Sequence, residues 1–270
     1  MWSNFSSVSS GCSAGPSSLR LRPTMTAVII DIEGTVCSIS FVKDTLFPYF
    51  LREVPAKLES LDYPIKVSSS VEDSESARIS NILVGFPQEV VSSYETTLSH
   101  ITHLVSSDIK DPVLKSLQGL IWSIGYHNGD LRAPIYPDAI KLIESFKEGD
   151  PTRKIYVYSS GSVRAQKLLF GHVSFEDSIV DLNPYFSGYF DITTSGFKQE
   201  SQSYKNILES IGQLETPDQV LFLSDNVKEV DAANSAGMKS IVVVRPGNSE
   251  LTEDDRKRFK VIDDFSQLQI

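Results

Sequence analysis

Cysteine is scarce in this sequence: Cys12 and Cys37 are the only two in 270 residues. That rules out a disulfide framework and suits a reducing compartment. Cationic charge is in short supply too. Lys and Arg number 25 against 35 Asp and Glu, for a net charge of -10, which disfavours nucleic acid and anionic membranes as partners. No apolar run approaches the length of a bilayer span. No Gly loop of the Walker or dinucleotide kind is present. What remains is an ordinary globular composition, 40% hydrophobic and 22% charged. The chain is long enough for one sizeable core and a smaller second one. An acidic protein still accommodates a phosphorylated metabolite where a metal and one or two lysines reverse the local field.

Residues 1–24 are rich in Ser and Gly and hold no acid; Arg20 and Arg22 are their only charges. They have the composition of a transit peptide without its apolar stripe. They read as a disordered tail, or as an upstream start ahead of Met25. The sequon Asn4-Phe5-Ser6 carries no meaning without secretion. Ala27 to Ile30 is a short apolar run expected to form a buried parallel strand. It leads into Asp31-Ile32-Glu33-Gly34-Thr35, the stretch around which the chain is organised. Two carboxylates one residue apart, beside a Gly that admits close backbone approach, suit Mg²⁺ and phosphate.

The next segment is helical in pattern. Leu46, Phe50, Val54 and Leu58 recur at near-helical spacing over Phe41 to Leu61, with Pro48 and Pro55 dividing or kinking the run. Val67 to Glu75 reads as an exposed Ser-rich loop. Helical patterns resume over Gln88 to Ser106 and Pro112 to Tyr126, the latter opened by Asp111 as N-cap. This much helix exceeds a single crossover, so residues 44–133 are expected to be an inserted helical cap. Residues 25–43 and 134–270 then make the core, where strands and helices alternate in the α/β manner of a mainly parallel, Rossmann-like sheet.

In such a sheet every strand's carboxyl end lies on one edge. Strand one ends in Asp31 and Glu33, and the strand Lys154 to Tyr158 in Ser159 and Ser160. Lys198 follows the short strand Tyr189 to Ile192, and Gln219 to Leu223 leads to Asp225. Together these types serve phosphoryl transfer. Mg²⁺ would offset the repulsion between carboxylate and phosphate dianion. Asp31 would attack phosphorus, and Glu33 would protonate the leaving oxygen and later activate water. Ser159 and Lys198 would hold the equatorial oxygens, while Asp225 would anchor the metal. Glu229, four residues after Asp225, stands open between a helix-surface acid and a support for the site.

Taken in order, Asp31, Ser159, Lys198 and Asp225 resemble the haloacid dehalogenase superfamily of Mg²⁺-dependent phosphohydrolases. Five further stretches are similar to the enolase-phosphatases of methionine salvage: Asp31-Ile-Glu-Gly-Thr35, Phe41-Val-Lys-Asp44, Tyr158-Ser-Ser-Gly-Ser-Val163, Ala165-Gln-Lys-Leu-Leu-Phe-Gly-His172 and Val244-Arg-Pro-Gly-Asn248. Glu33, where most of the superfamily has a second Asp, belongs to that pattern. The resemblance runs from about Ala27 to the end of the chain. It implies a bifunctional enzyme that enolises 5-methylthio-2,3-dioxopentyl phosphate and then dephosphorylates it to the acireductone, without assigning the base that takes the proton. It implies one Mg²⁺ per subunit associated with Asp31, Glu33 and Asp225, and substrate held by Ser159, Ser160 and Lys198. It further implies a monomer of the cytoplasm, with nuclear residence also open, and no membrane or nucleic-acid partner. Trp122 is expected to pack the cap core, with cover of the thioether as the alternative.

Two other readings fit the fold: a phosphatase for another small phosphate ester, since substrate choice lives in the cap, and a binding module without turnover. Ser195-Gly-Phe-Lys198 and Ser224-Asp-Asn226 mimic penicillin-recognising enzymes, but no Lys-Thr-Gly follows and Gly196 weakens the helix required. His100 and His103 have helical spacing without ligating partners in sequence, and read as solvent-facing.

Overall fold

The computed structural model describes residues 19–20, 25–67 and 74–269. Of the expected tail, therefore, only Leu19–Arg20 can be placed; they pair in parallel with Leu268–Gln269. The sequon and Cys12 lie outside the described residues, as does most of the Ser-rich loop.

Six parallel strands form the central sheet: β1 (Ala27–Ile30), β2 (Lys154–Tyr158), β3 (Gly188–Phe190), β4 (Val220–Ser224), β5 (Lys239–Val243) and β6 (Val261–Ile262), in the order β3-β2-β1-β4-β5-β6. The chain winds outward from β1 in both directions, so the order reverses between β1 and β4. A crevice opens beyond the strand ends at such a point. All four residues of β1 are buried, and they divide by parity as a strand must. Ala27 and Ile29 face a core containing Tyr204, Ile207 and Phe222. Val28 and Ile30 face the larger core with Val157, Ile143 and Phe146. The first face is covered by α7 (Ser201–Ser210) and α8 (Val227–Ser235), the second by α5 (Pro137–Gly149) and α6 (Val163–Phe170). This is the α/β sheet that the alternating pattern predicts. An antiparallel hairpin, Val173–Phe175 with Ser178–Val180, was not expected; its strands are too short to alternate visibly.

Between β1 and α5 the chain is helical. A π-type turn over Val42–Leu46 runs into α1 (Phe47–Glu59), which accepts Pro48 in its first turn and contains Pro55. The stripe Tyr49, Phe50, Val54 and Leu58 is buried, each side chain contributing roughly 1.5–3 kcal/mol relative to exposure. Next comes α2 (Glu75–Leu83), a helix the Ser-rich composition had masked; Ser74 caps it by accepting from the Ala77 amide at 3.2 Å. A capping box of Ser93 and Thr96 starts α3 (Tyr94–Ser106). Asp111 accepts from Val113 and Leu114 to start α4 (Pro112–Asn128), as expected. The return to the core is tied to the end of the β1 loop: Cys37 bridges Ile135, and the Tyr136 amide donates to Val36 O at 2.9 Å. Among the described residues no helix is long and apolar enough to cross a membrane.

Candidate active site

The site is built where β1 and β4 end. The Asp31 amide still belongs to the ladder, donating to Leu223 O at 2.9 Å, so its side chain leaves the sheet at its carboxyl edge. The chain then turns at Gly34, whose φ of 72 favours glycine. A Cβ there would also collide with Asp225 Oδ2. Thr35 closes the turn against β4, its Oγ1 accepting from the Asp225 amide at 3.0 Å.

Lys198 is the hub. Its Nζ lies 2.6 Å from Asp31 Oδ1 and 2.7 Å from Glu229 Oε2. The Ser224 hydroxyl, 3.1 Å from Asp31 Oδ2 and 2.9 Å from Glu229 Oε2, shares its single proton between them. Two tyrosines set the Lys198 backbone from below: Tyr204 donates to Lys198 O and Tyr158 to Gly196 O, each at 2.7 Å. Asp31, Lys198 and Glu229 are 5%, 8% and 8% exposed, so this is a charge cluster removed from water, held by direct pairing.

The electrostatics follow from that burial. Burial works against the Lys198 charge, but Asp31 and Glu229 outweigh it and raise the pKa of the ammonium. Burial, then the charge of Asp31, raises Glu229. Asp225, half-buried, is pushed up to about 7 by burial and by Asp31 and Glu229. Glu33 reaches solvent, yet the protein packed around its carboxyl, and next the charge of Asp31, raise it as well; Lys198 and Lys110 oppose. Four carboxylates thus face a single buried ammonium.

That surplus suits a divalent cation. Among the described residues no three Asp, Glu, His or Cys side chains close into a ready-made cage. Mg²⁺ does not require one, because it retains water and takes one or two carboxylates plus phosphate oxygens. Asp31 and Asp225 offer such hard oxygens on either side of the crevice. Glu33 is the one expected ligand exposed as a residue, although protein packs around its carboxyl.

The remaining expected residues are placed unequally. Ser159 is buried one residue beyond β2, its Oγ accepting from the Gly161 amide at 3.3 Å. Ser160 beside it is exposed. Asp225 is not a helix cap: Asn226 takes that role, accepting from Lys228 at 3.0 Å. Glu229 is inside the site and not on a helix surface. Ser195 to Lys198 is non-helical, with Gly196 at φ 109, so the resemblance to penicillin-recognising enzymes has no structural counterpart. His103 is exposed, but His100 is half-buried, set edge-on to Phe86 at 4.9 Å. Trp122 donates to Leu46 O at 2.9 Å and packs against Phe47. Ser224, Thr35, Tyr158 and Tyr204 were not singled out as site residues. Ser224 directly precedes Asp225, and Tyr158 directly precedes Ser159, so each carried a signal; Tyr204, on α7 with no motif beside it, carried none.

A family model for haloacid dehalogenase-like hydrolases matches residues 25–237, and the chain belongs to that family. Two curated relatives narrow the class. Enolase-phosphatase E1 of Debaryomyces hansenii is 54% identical over 90% of this chain and 96% of its own. Enolase-phosphatase E1 of Candida tropicalis is 51% identical over 92% of this chain and 100% of its own. The crystal structure of the UTR4 protein from Saccharomyces cerevisiae superimposes with a TM-score of 0.74 at 44% identity, covering 89% of this chain and 98% of that one. Within the hydrolases, the chain therefore stands among the enolase-phosphatases.

Proposed function

We propose that the chain converts 5-methylthio-2,3-dioxopentyl phosphate to the acireductone 1,2-dihydroxy-5-methylthiopent-1-en-3-one and inorganic phosphate, the enolase-phosphatase step of methionine salvage. The observation that carries this is Lys198 paired with Asp31 at 2.6 Å across from Asp225, in a chain 54% identical to a curated enolase-phosphatase. Residues 25–43 and 134–270 act as the catalytic core, and residues 44–133 as a cap over the diketone and thioether. The enzyme works as a monomer in the cytoplasm.

Asp31 is the nucleophile. Its Oδ1 is fixed by the Ile32 amide at 2.8 Å and by Lys198, so the carboxylate is oriented before substrate arrives. Attack on phosphorus forms an aspartyl-phosphate and breaks the bond to the substrate oxygen. Glu33 gives that oxygen its proton, and its exposure lets it then activate the water that hydrolyses the acyl phosphate. Ser159, Ser160 and Lys198 hold the phosphoryl oxygens as charge spreads over them. Asp31, Glu33 and Asp225 would hold one Mg²⁺, which when bound would supply charge neutralisation for the phosphate dianion and for negative charge on the diketone oxygens.

The test is to supply the diketone phosphate with Mg²⁺ and follow ultraviolet absorbance alongside free phosphate. Appearance of an enediol followed by phosphate release is expected. Phosphate release from simple esters with the diketone untouched would replace this reading by a phosphatase of different substrate.

A further inference from the structure

The loop after β5, Val244 to Asn248, contributes nothing to the chemistry above, yet it grips the loop bearing Asp31 at two consecutive carbonyls. Arg245 is buried. Its Nε donates to Thr35 O at 3.0 Å, its Nη1 to Asp263 O at 3.1 Å and its Nη2 to Asp138 Oδ2 at 2.7 Å. The guanidinium is stacked with the rings of Tyr136 and Phe265, 4.6 Å from each centroid. Asn248 Nδ2 donates to Gly34 O at 2.8 Å and to Val243 O at 3.3 Å.

The two carbonyls held in this way belong to the residues that seat Asp225. Thr35 Oγ1 accepts its amide, and its carboxylate rests where Gly34 lacks a Cβ. Asp31 lies three residues before Gly34 on the same turn. A displacement of Gly34 and Thr35 therefore moves both carboxylates relative to each other. Reacting groups tolerate little of this, since a shift of about 1 Å costs roughly a hundredfold in rate. Stability alone would be served by the pairing with Asp138. The bond to Thr35 O is the one that ties the guanidinium to the chemistry, and only a planar fork reaches all three acceptors at once.

We infer that Arg245 and Asn248 are positioning residues for phosphoryl transfer: they fix the Thr35 and Gly34 carbonyls so that Asp31 and Asp225 stay opposed across the crevice between β1 and β4. This rests on Asp31 being the nucleophile.

The test compares the wild-type enzyme, Arg245→Lys and Asn248→Ala in Mg²⁺ buffer, at a temperature where thermal melts show the protein folded. On the diketone phosphate, kcat is expected to fall at least about tenfold for Arg245→Lys and about fivefold for Asn248→Ala, with KM within about threefold of wild type. Vanadate, a mimic of the five-coordinate phosphoryl group, should lose inhibition about as much as kcat falls, while inhibition by inorganic phosphate changes less than about twofold. A merely structural role would shift the melt and leave the ratio of vanadate to phosphate inhibition alone. Folded variants with wild-type kcat and a wild-type ratio would overturn the inference. If Arg245→Lys does not fold, Asn248→Ala decides alone by the same criteria. Failure of the wild-type enzyme to act on the diketone phosphate would count against the proposed reaction; the vanadate-to-phosphate ratio measured on hydrolysis of a simple phosphate ester would then judge these two residues.

Discussion

At the carboxyl edge of the sheet, Asp31 and Lys198 are 5% and 8% exposed; in the helical insertion, Ile101 and Leu117 are 0% exposed. The burial is similar and its physics is opposite. Ile101 and Leu117 gain by leaving water, and any apolar neighbour of the right shape will serve. Asp31 and Lys198 lose hydration and recover it only through specific partners at hydrogen-bond distance. The edge is thus a place where geometry is enforced at a cost in stability, and it is left with more negative charge than it can neutralise. The insertion has no such surplus in its core. The difference separates substitutions that silence chemistry from those that loosen the fold.

Five substitutions probe that separation. Asp31→Asn is expected to reduce phosphate release by about 10⁴-fold or more while the melting curve stays close to wild type; retained turnover would remove Asp31 as nucleophile. Lys198→Ala should lower kcat/KM by about 10²- to 10³-fold and destabilise by about 3 kcal/mol, because Asp31 and Glu229 lose their shared cation; unchanged kinetics would show the lysine to be purely structural. Leu117→Ala, in the insertion, should do the reverse. A loss of about 3 kcal/mol in denaturant unfolding, with kcat of the folded protein within about threefold, is expected. A large fall in kcat would mean that the insertion's packing reaches the chemistry.

The fourth concerns Asp225 and pH. Its folded pKa of about 7 lies above the ordinary 3.8, so the native state holds the proton more tightly than the unfolded chain. The metal-free protein should therefore lose stability as pH rises from about 4 to about 7, and level off above. Asp225→Asn removes the Asp225 share of that slope and leaves that of Glu33 and Glu229, making the metal-free variant about 2 kcal/mol more stable than wild type at pH 8, after allowance for the residue's partial exposure. Parallel pH profiles would contradict the assignment. The smallest effect is expected from Trp122→Phe. It loses the bond to Leu46 O and about 1 kcal/mol, with KM for the diketone phosphate unchanged. A several-fold rise in KM would instead give Trp122 a place over the thioether.

Asp31, Lys198 and Asp225 were legible because a parallel sheet gathers strand ends whatever their spacing in the chain. Glu229 was not, since a carboxylate one helical turn past Asp225 has the same spacing whether it faces solvent or Lys198. The helix α2 hid behind Ser and acidic residues that read as loop, although Ser74 is an ordinary cap. Arg245 could be recognised as part of a familiar pentapeptide, but its acceptors Thr35 and Asp138 lie 210 and 107 positions away, and no periodicity connects them. Tertiary hydrogen bonds of this kind are where sequence reasoning stops.

Asn226 seats the first turn of α8, and its neighbour is thereby released from architectural duty. Adjacent positions divide the labour: one starts a helix, the other is free to carry charge. The side chain at position 225 can accordingly be altered, by selection or by hand, without unravelling the element that follows it.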